Sequence, residues 1–369
     1  MTPQEWHAIG VLDLDAPDAR EQLNHLRLLH ARGATPEQIV AAHRDGRLGR
    51  LAAELLFLPD PERLTAPEVA ERAGVSVATV QRLWRLVGFA EIPDDLPRFT
   101  ARDVELVQTF AAASAFFGEA PAAQLLRVVA SAVARVADAT VSTFTSTVGA
   151  TSMAADPDGL ALREANLTAA QLYPGLNAAI DTLLRHHLVE ASRPNVSGTT
   201  PRGYERSTRA VGFVDIVGST ALSRQLPLDD VALAVQHFEA TSSDIVSANA
   251  GRVVKFVGDA VMFTMPNPLD ACRAALEIVE AVADDAVLAG LRGGVAYGDV
   301  VVRDGDCYGP VVNLAARAAA IARTGTVVVS DDLRTGAQDG SLQFEPLPPQ
   351  ALKGFGDAVV LFRVQSLDA

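Results

Sequence analysis

Residues 253–263 contain two short apolar runs, rich in β-branched side chains, that are separated by Gly258-Asp259. A two-residue connection that begins with glycine is typical of a tight β-hairpin, because glycine accepts the positive φ of a primed turn. We therefore predict two antiparallel strands with Lys255 in the first strand and Asp259 at the tip. Side chains alternate between the faces of a strand, so Lys255 and Phe256 are predicted to point to opposite sides. Two charged side chains in an apolar hairpin indicate either a functional site or an exposed end of the sheet.

The segments around this hairpin alternate between helix and strand patterns, which is typical of an α+β domain. Their predicted order is β-α-α-β-β-α-β-α-β, and the main segments are strand 210–216, helix 228–249, the hairpin, helix 268–282, strand 291–302, a helix from 310 and strand 326–329. We predict a mostly antiparallel sheet with the helices on one face.

The first of these strands ends in Asp215 and is followed by Gly218-Ser219-Thr220, where a helix is predicted to begin. Free backbone N–H groups and the positive end of the helix dipole make such a start a phosphate-binding site. A carboxylate next to that site repels phosphate unless a divalent cation lies between them. Asp215 is therefore interpreted as a Mg²⁺ ligand, with an N-cap or an exposed strand end as the alternative.

The helix that begins at Pro310 places Asn313 and Arg317 on one face, because they are spaced i, i+4. An amide and a forked cation together suit a ribose and a phosphate, whereas either residue alone indicates an ordinary solvated face. Lys353 lies in a glycine-rich turn near the end of the chain and is a further candidate for phosphate contact.

The front half of the chain is predicted to be helical. Residues 65–90 read as a helix, a turn at Gly74 and a second helix, an arrangement that resembles a helix-turn-helix with Arg82 and Arg85 on the second helix. The alternative is a helical hairpin inside an α-helical domain. We favour the hairpin and expect no nucleic-acid partner, because a net charge of −14 leaves no broad field for binding phosphates.

Two longer helices are predicted before a linker. Residues 121–146 are apolar nearly all round, which indicates a domain centre, an oligomer contact or the lining of a pocket for an apolar ligand. Residues 160–189 form another predicted helix, broken or kinked near Pro174-Gly175, that ends in His186-His187. Residues 192–203 have the composition of a linker.

The chain is expected to work in the cytoplasm. Its two cysteines, Cys272 and Cys307, form no disulfide framework and suit a reducing compartment. The first residues contain no apolar signal core, and the helix 121–146 carries too many charges for a membrane span.

Three blocks of the back half resemble the signature blocks of class III nucleotidyl cyclases: Phe213–Thr220, Val254–Phe263 and Asp306–Arg317. They occur in the family's order with matching internal spacing, and the resemblance covers about residues 205–366. It implies a catalytic domain at 207–369 with a ferredoxin-like βαββαβ core.

The resemblance also implies roles for the matched residues around the metal. Asp215 and Asp259, with the backbone carbonyl of Ile216, would hold two divalent cations per site, either Mg²⁺ or Mn²⁺.

The remaining matched residues are implied to act on the substrate. Lys255 and Asp306 would recognise adenine, and Asn313 would orient the ribose. Arg317 would stabilise charge at the reacting phosphate, and Lys353 would contact the triphosphate. Adenine presents an N6 donor for Asp306 and an N1 acceptor for Lys255, whereas guanine presents the reverse pattern. The implied reaction converts ATP into 3′,5′-cyclic AMP and pyrophosphate.

In this family the sites form between two catalytic domains placed head to tail. The metal-binding acids come from one domain, and Lys255, Asp306, Asn313 and Arg317 come from the other. A chain with a single catalytic domain is therefore implied to form a homodimer with two composite sites.

The front half resembles the regulatory domain of soluble, autoinhibited, pH-responsive bacterial adenylyl cyclases. The resemblance lies in Glu68–Ser76, Arg82–Phe89 and Phe99–Val104. It implies an all-α regulatory and dimerisation domain at 1–190 and a linker or switch at 191–206.

Two regulatory hypotheses follow from the front half. Histidine changes charge near pH ~6.5, about half a unit below neutrality, so His186 and His187 before the linker are candidate pH sensors, with exposed histidines at a helix end as the alternative. The apolar helix 121–146 is a candidate site for a fatty acid or another lipid-like effector.

A rival from another functional class is a catalytically weak, cyclase-like nucleotide sensor. In that interpretation the 65–90 helices would bind DNA as a helix-turn-helix regulator.

Overall fold

The computed structural model describes residues 1–58, 60, 62–149, 160–192, 198–201, 204–219, 224–282 and 287–367. The chain divides into two compact units, Met1–Ser192 and Arg193–Ala369.

The described part of the first unit is helical. Its helices are α1 (Pro3–Ala8), α2 (Ala19–Ala31), α3 (Pro36–Arg44), α4 (Leu48–Phe57), α5 (Ala66–Ala73), α6 (Val77–Leu86), α7 (Ala101–Phe117), α8 (Glu119–Phe144) and α9 (Leu160–Ala191), with a π-helical turn at Thr145–Gly149. Thr35 and Thr65 form capping boxes at the starts of α3 and α5, and Ser76 caps α6. Helix α5 ends at Gly74, whose φ of 70° suits a glycine.

Two hydrophobic clusters hold this unit together. Helices α1 to α4 pack around Trp6, which is fully buried. Helices α5 to α8 pack around a second cluster that includes Val69, Leu83 and Phe99.

Both arginines that a DNA-binding motif would present on α6 form ion pairs with acidic side chains. Arg82 forms an ion pair with Glu119, and Arg85 lies 3.1 Å from Glu91. Each positive charge is therefore matched by an acid of the same unit. This pairing leaves little free positive charge for a phosphate backbone and favours the helical hairpin over a DNA-binding motif.

Helix α8 is not the domain centre that its apolar sequence suggested. Among its described side chains only Ala122 and Ala123 are buried, while Leu125, Val133 and Val141 are 52%, 55% and 64% exposed. This exposure shows that the domain-centre interpretation is wrong for the single chain. The sequence could not distinguish the two cases, because a helix at an oligomer contact and a helix in a core have the same apolar composition. Helix α9 continues through Pro174, so of the predicted break or kink the break does not occur.

The second unit is built on one nine-stranded sheet with the order β3-β4-β2-β5-β7-β9-β8, in which β1 also pairs with β2 and β6 with β5. The strands are β1 (Gly198–Thr199), β2 (Glu205–Ile216), β3 (Arg252–Val257), β4 (Ala260–Met265), β5 (Leu291–Arg303), β6 (Asp306–Tyr308), β7 (Val327–Ser330), β8 (Leu342–Pro346) and β9 (Leu361–Ser366). Among the strands that the structure describes, only β5 and β7 pair in parallel, which confirms the mostly antiparallel α+β fold.

Helices of this unit lie on both faces of the sheet, whereas one face was predicted. They are α10 (Leu228–Ala248), α11 (Pro268–Ala281), α12 (Pro310–Ile321) and α13 (Asp331–Gly336). Phe238 of α10 and Ile278 of α11 share the main cluster with Val295. Ala315 of α12 packs with Ala296, the next residue along β5, which points to the other face.

Gly294 explains how closely α12 lies on the sheet. A Cβ atom at this position would lie 2.0 Å from the backbone nitrogen of Ala319, so only glycine permits the contact. Helix α12 is thereby fixed against the centre of β5, on the face that carries the candidate site.

Candidate active site

The hairpin of β3 and β4 is confirmed. Val257 pairs with Ala260, so Gly258 and Asp259 form a two-residue connection, and Gly258 has a φ of 62°.

A bulge in β3, which the sequence analysis missed, aims Lys255. Val253 pairs with Phe263 and Lys255 with Met262, so Val254 is an extra residue in the strand. Strict alternation from Val253 would place Lys255 on the face covered by α10 and α11. The bulge instead turns Lys255 to the α12 face, a common use of bulges at functional sites.

Lys255 and Asp306 form an ion pair across 51 residues of sequence. Asp306 begins the short strand β6, where its Oδ1 accepts the N–H of Cys307 at 2.8 Å. The Lys255 side chain is 44% exposed and that of Asp306 is 21% exposed, so the pair is accessible to a ligand. The structure thus brings together the two residues assigned to adenine, and each has its charge partner already in place.

The two candidate metal-binding acids are neighbours at the end of the sheet. Asp215 pairs with Ala260, the residue after Asp259, and the backbone N–H of Ile216 donates to the backbone oxygen of Asp259 at 3.1 Å. No hydrogen bond or ion pair engages the Asp259 carboxylate within the described residues.

The donor set at these acids fits a hard divalent cation. Two carboxylates supply the oxygen ligands that Mg²⁺ and Mn²⁺ prefer. Among the described residues no cluster of three or more histidine, cysteine, aspartate or glutamate side chains is present, so the fit rests on two acids and backbone oxygen.

Arg292 is part of this site and was not predicted. It lies directly opposite Asp215 on β5, and its Nη2 and Nε atoms donate to Asp215 Oδ2 at 2.7 and 3.1 Å. Its Nη1 donates to the backbone oxygen of Ala320, in the last turn of α12, at 2.9 Å. The available signal was a single arginine among apolar residues and glycines at the start of β5.

Helix α12 presents Asn313 and Arg317 to solvent on one face, as their spacing predicted. Neither side chain makes a hydrogen bond or an ion pair to any residue that the structure describes. Both are therefore free to meet a ligand or a second chain.

Lys353 is held near the same helix. It is exposed in a turn where Phe355 N–H donates to the backbone oxygen of Leu352 at 3.1 Å. Leu352 is buried in a cluster with Ala318 of α12, so the turn is anchored on the α12 side of the sheet.

The predicted phosphate-binding loop is described only in part. Gly218 has a φ of 72° and Ser219 is helical, whereas Thr220 lies outside the described residues.

The other residues named from the sequence are two histidines and two cysteines. His186 and His187 are exposed on α9 of the first unit. Cys272 and Cys307 are buried and unpaired, and burial raises the pKa of both thiols. None of the described helices combines the length and hydropathy that a membrane span requires.

Two family models match the chain. The adenylate cyclase regulatory domain matches residues 7–191, and the adenylate and guanylate cyclase catalytic domain matches residues 204–365.

Similar proteins occur in Mycobacterium and Streptomyces. An uncharacterized protein of Mycobacterium tuberculosis is 36% identical, over 96% of this chain and 94% of its own length. An adenylate cyclase of Streptomyces coelicolor is 33% identical over 76% and 73% of the two chains. A pH-sensitive adenylate cyclase of Mycobacterium tuberculosis is 28% identical over 96% and 90%. The chain belongs to the class III cyclases, with an adenylate cyclase regulatory domain followed by the catalytic domain.

Proposed function

We propose that this enzyme converts ATP into 3′,5′-cyclic AMP and pyrophosphate at two composite sites of a homodimer. The observation that carries the proposal is the Lys255–Asp306 ion pair on the α12 face of the sheet. Asp215 lies on that face too, since it is two residues from Phe213, which packs in the α12 cluster.

The ion pair suits adenine for a physical reason. Asp306 accepts a hydrogen bond from the N6 amino group, and Lys255 donates one to N1. The negative side chain therefore meets a donor and the positive side chain meets an acceptor. The salt bridge holds both side chains in one orientation before the base arrives, which lowers the ordering cost of binding.

The remaining residues position and stabilise the substrate. Divalent cations at Asp215 and Asp259 would supply the positive charge that acidifies the ribose 3′-hydroxyl and neutralises the phosphates. Asn313 hydrogen-bonds the ribose, Arg317 stabilises charge on the α-phosphate, and Lys353 binds the triphosphate. Positioning and charge stabilisation dominate such a phosphoryl transfer, because the protein forms no covalent bond to the substrate.

Base selection gives the first prediction. Asp306→Ala removes the acceptor for N6 and leaves Lys255 without its partner, so the preference for ATP over GTP is expected to fall about 10- to 100-fold. The measurement is kcat/KM for both nucleotides with the purified enzyme in Mn²⁺ and in Mg²⁺. A wild-type enzyme that prefers GTP would contradict the assignment of the base.

The first unit is proposed as the regulatory domain, at 1–190, with 191–206 as the switch. The exposed apolar residues of α8, Leu125, Val129, Val133 and Val136, recur at helical spacing. A second copy of the same helix offers an equal apolar surface, so we assign this face to dimerisation, and a fatty acid or similar lipid is the competing occupant. If added fatty acid changes neither the activity nor the Tm of the protein, a lipid effector at this helix is excluded.

Regulation by pH is proposed from His186 and His187, which are exposed on α9 next to the Arg185–Asp181 ion pair of 2.8 Å. The second prediction is that replacing both by asparagine flattens the change in activity between about pH 6 and 8, because neither position then gains charge. His43→Asn on α3 is the control. An unchanged pH profile in the double variant would exclude these histidines as the sensor.

A further inference from the structure

Arg252 and Lys255 of β3 reach the same short hairpin, although they lie three positions apart in the sequence. In a regular strand, residues three apart point to opposite faces. The bulge at Val254 removes this difference, because Arg252 pairs with Thr264 and Lys255 pairs with Met262, two residues apart on β4. Met262 packs in the α12 cluster, so both basic side chains lie on the face that α12 covers.

The common target of these side chains is the turn between β5 and β6. Arg303 pairs with Asp306, and the two residues between them, Asp304 and Gly305, have φ values of 55° and 80°. Positive φ at both central positions is the mark of a tight type I′ turn. The turn is fixed by its own backbone, so a contact that holds Gly305 also sets the position of the next residue, Asp306.

Arg252 holds the turn by its backbone. Its Nη2 atom donates to the carbonyl oxygen of Gly305 at 2.9 Å, one residue before the Lys255–Asp306 ion pair. The Asp306 carboxylate is also held by its own strand, since the Cys307 N–H donates to Oδ1 at 2.8 Å. The edge strand β3 and the hairpin are thus joined at two adjacent points. One of them is the charged pair assigned to adenine, and the other uses backbone that the base does not need.

We propose that Arg252 is a positioning residue for base selection: its bond to Gly305 fixes the spacing of the two charged groups that meet the base. The proposal rests on the adenine-recognising role proposed for Lys255 and Asp306. A base that binds to both groups weakens their direct contact, and the Arg252 bond then keeps β3 and β6 at a constant distance. Groups held at a fixed spacing reject a base of reversed polarity, whereas mobile groups rearrange around it.

Arg252→Met tests this role, because methionine removes the donors and keeps an unbranched side chain. The KM for ATP is expected to rise, and the ratio of kcat/KM for ATP to that for GTP is expected to fall, each by about 3- to 10-fold. The kcat with saturating ATP is expected to stay within about threefold of the wild type, since the groups that act in the transition state are untouched. Steady-state kinetics with both nucleotides in Mn²⁺ measure these quantities. Arg252 is exposed, so the Tm should change little.

Two further variants separate the hydrogen bond from a general loss of an arginine. Arg252→Lys keeps the charge and one donor for the Gly305 carbonyl, so its ATP-to-GTP ratio is expected to stay within about twofold of the wild type. Arg206→Met is the matched control, because Arg206 joins β2 to β5 through an exposed ion pair with Asp299, outside the β5–β6 turn. Its nucleotide preference should not change. Arg252→Gln, which is too short to span the same gap, replaces the methionine variant if thermal unfolding shows that the latter is not folded.

Hydrogen exchange measures the positioning without catalysis. In the nucleotide-free full-length protein, the backbone amides of residues 305–308 are expected to exchange about 10-fold faster in Arg252→Met than in the wild type or in Arg206→Met. The proposal is overturned by unchanged exchange, by an unchanged nucleotide preference, by a lower kcat at constant KM, or by a lysine variant as unselective as the methionine variant. The proposed function fails in a different way, through a wild-type enzyme that forms no cyclic AMP or prefers GTP.

Discussion

Arg317→Ala is expected to lower kcat by about 10²- to 10³-fold while the KM for ATP changes little. Arg317 is exposed on α12 and has no partner among the described residues, so its charge is free to act on a ligand. A donor aimed at charge that develops in the transition state contributes about this much to turnover and little to ground-state binding. Steady-state kinetics with ATP in Mn²⁺ measure both parameters.

Arg273→Ala is the matched control for this change. Arg273 lies on α11, on the opposite face of the sheet, where it is 2.7 Å from Asp339. Removing an exposed ion pair there has little effect on stability and none on the proposed site. Equal losses of kcat and ATP affinity in the Arg317 variant would show that the arginine binds the ground state instead.

Asp259→Asn is expected to have the largest effect of the single substitutions, a loss of about 10³-fold or more in kcat. It halves the carboxylate charge at the candidate cation site, where charge stabilisation accounts for most of the rate. A second readout does not depend on catalysis: excess Mn²⁺ should raise the Tm of the wild-type protein by mass action and leave the variant almost unchanged.

Asp332→Asn is the control for the loss of one carboxylate. Asp332 is exposed in the first turn of α13, and its side chain has no hydrogen-bond partner among the described residues. Should Asp259→Asn keep both its activity and its Mn²⁺-dependent Tm, the assignment of the metal-binding acids would be wrong.

Local sequence patterns were sufficient for the helices, the hairpin and the positions of Asp215 and Asp259. Turn glycines and alternating side chains are properties of a few neighbouring residues, so the turns at Gly74 and Gly258 were predicted directly from the sequence. The family resemblance implied that Lys255 and Asp306 act on the same base, and the structure shows them as an ion pair.

The rest depends on contacts between distant segments. The bulge at Val254 exists only relative to β4, and Arg292 meets Asp215 across 77 residues. The face of the sheet that α12 covers depends on the close approach of its backbone to β5 at Gly294. The alternation of side chains along a strand does not reveal this contact between distant segments. The exposure of α8 was missed because an apolar helix that meets a second chain has the composition of a core helix.

The composite site that we propose has a direct consequence for mixtures of inactive chains. Asp215→Asn damages only the metal-binding half of a site, and Arg317→Ala damages only the opposite half. In a head-to-tail heterodimer of the two variants, one site carries both defects and the other site is intact.

The measurement that tests this most directly is the cyclic AMP-forming activity of Asp215→Asn and Arg317→Ala proteins, assayed separately and after mixing in equal amounts. Random pairing makes half of the dimers mixed, so we expect on the order of a quarter of the wild-type activity to return. Activity should rise with the fraction of heterodimer as the ratio is varied. A mixture as inactive as its two components, with exchange of subunits verified, would contradict a site shared between two chains.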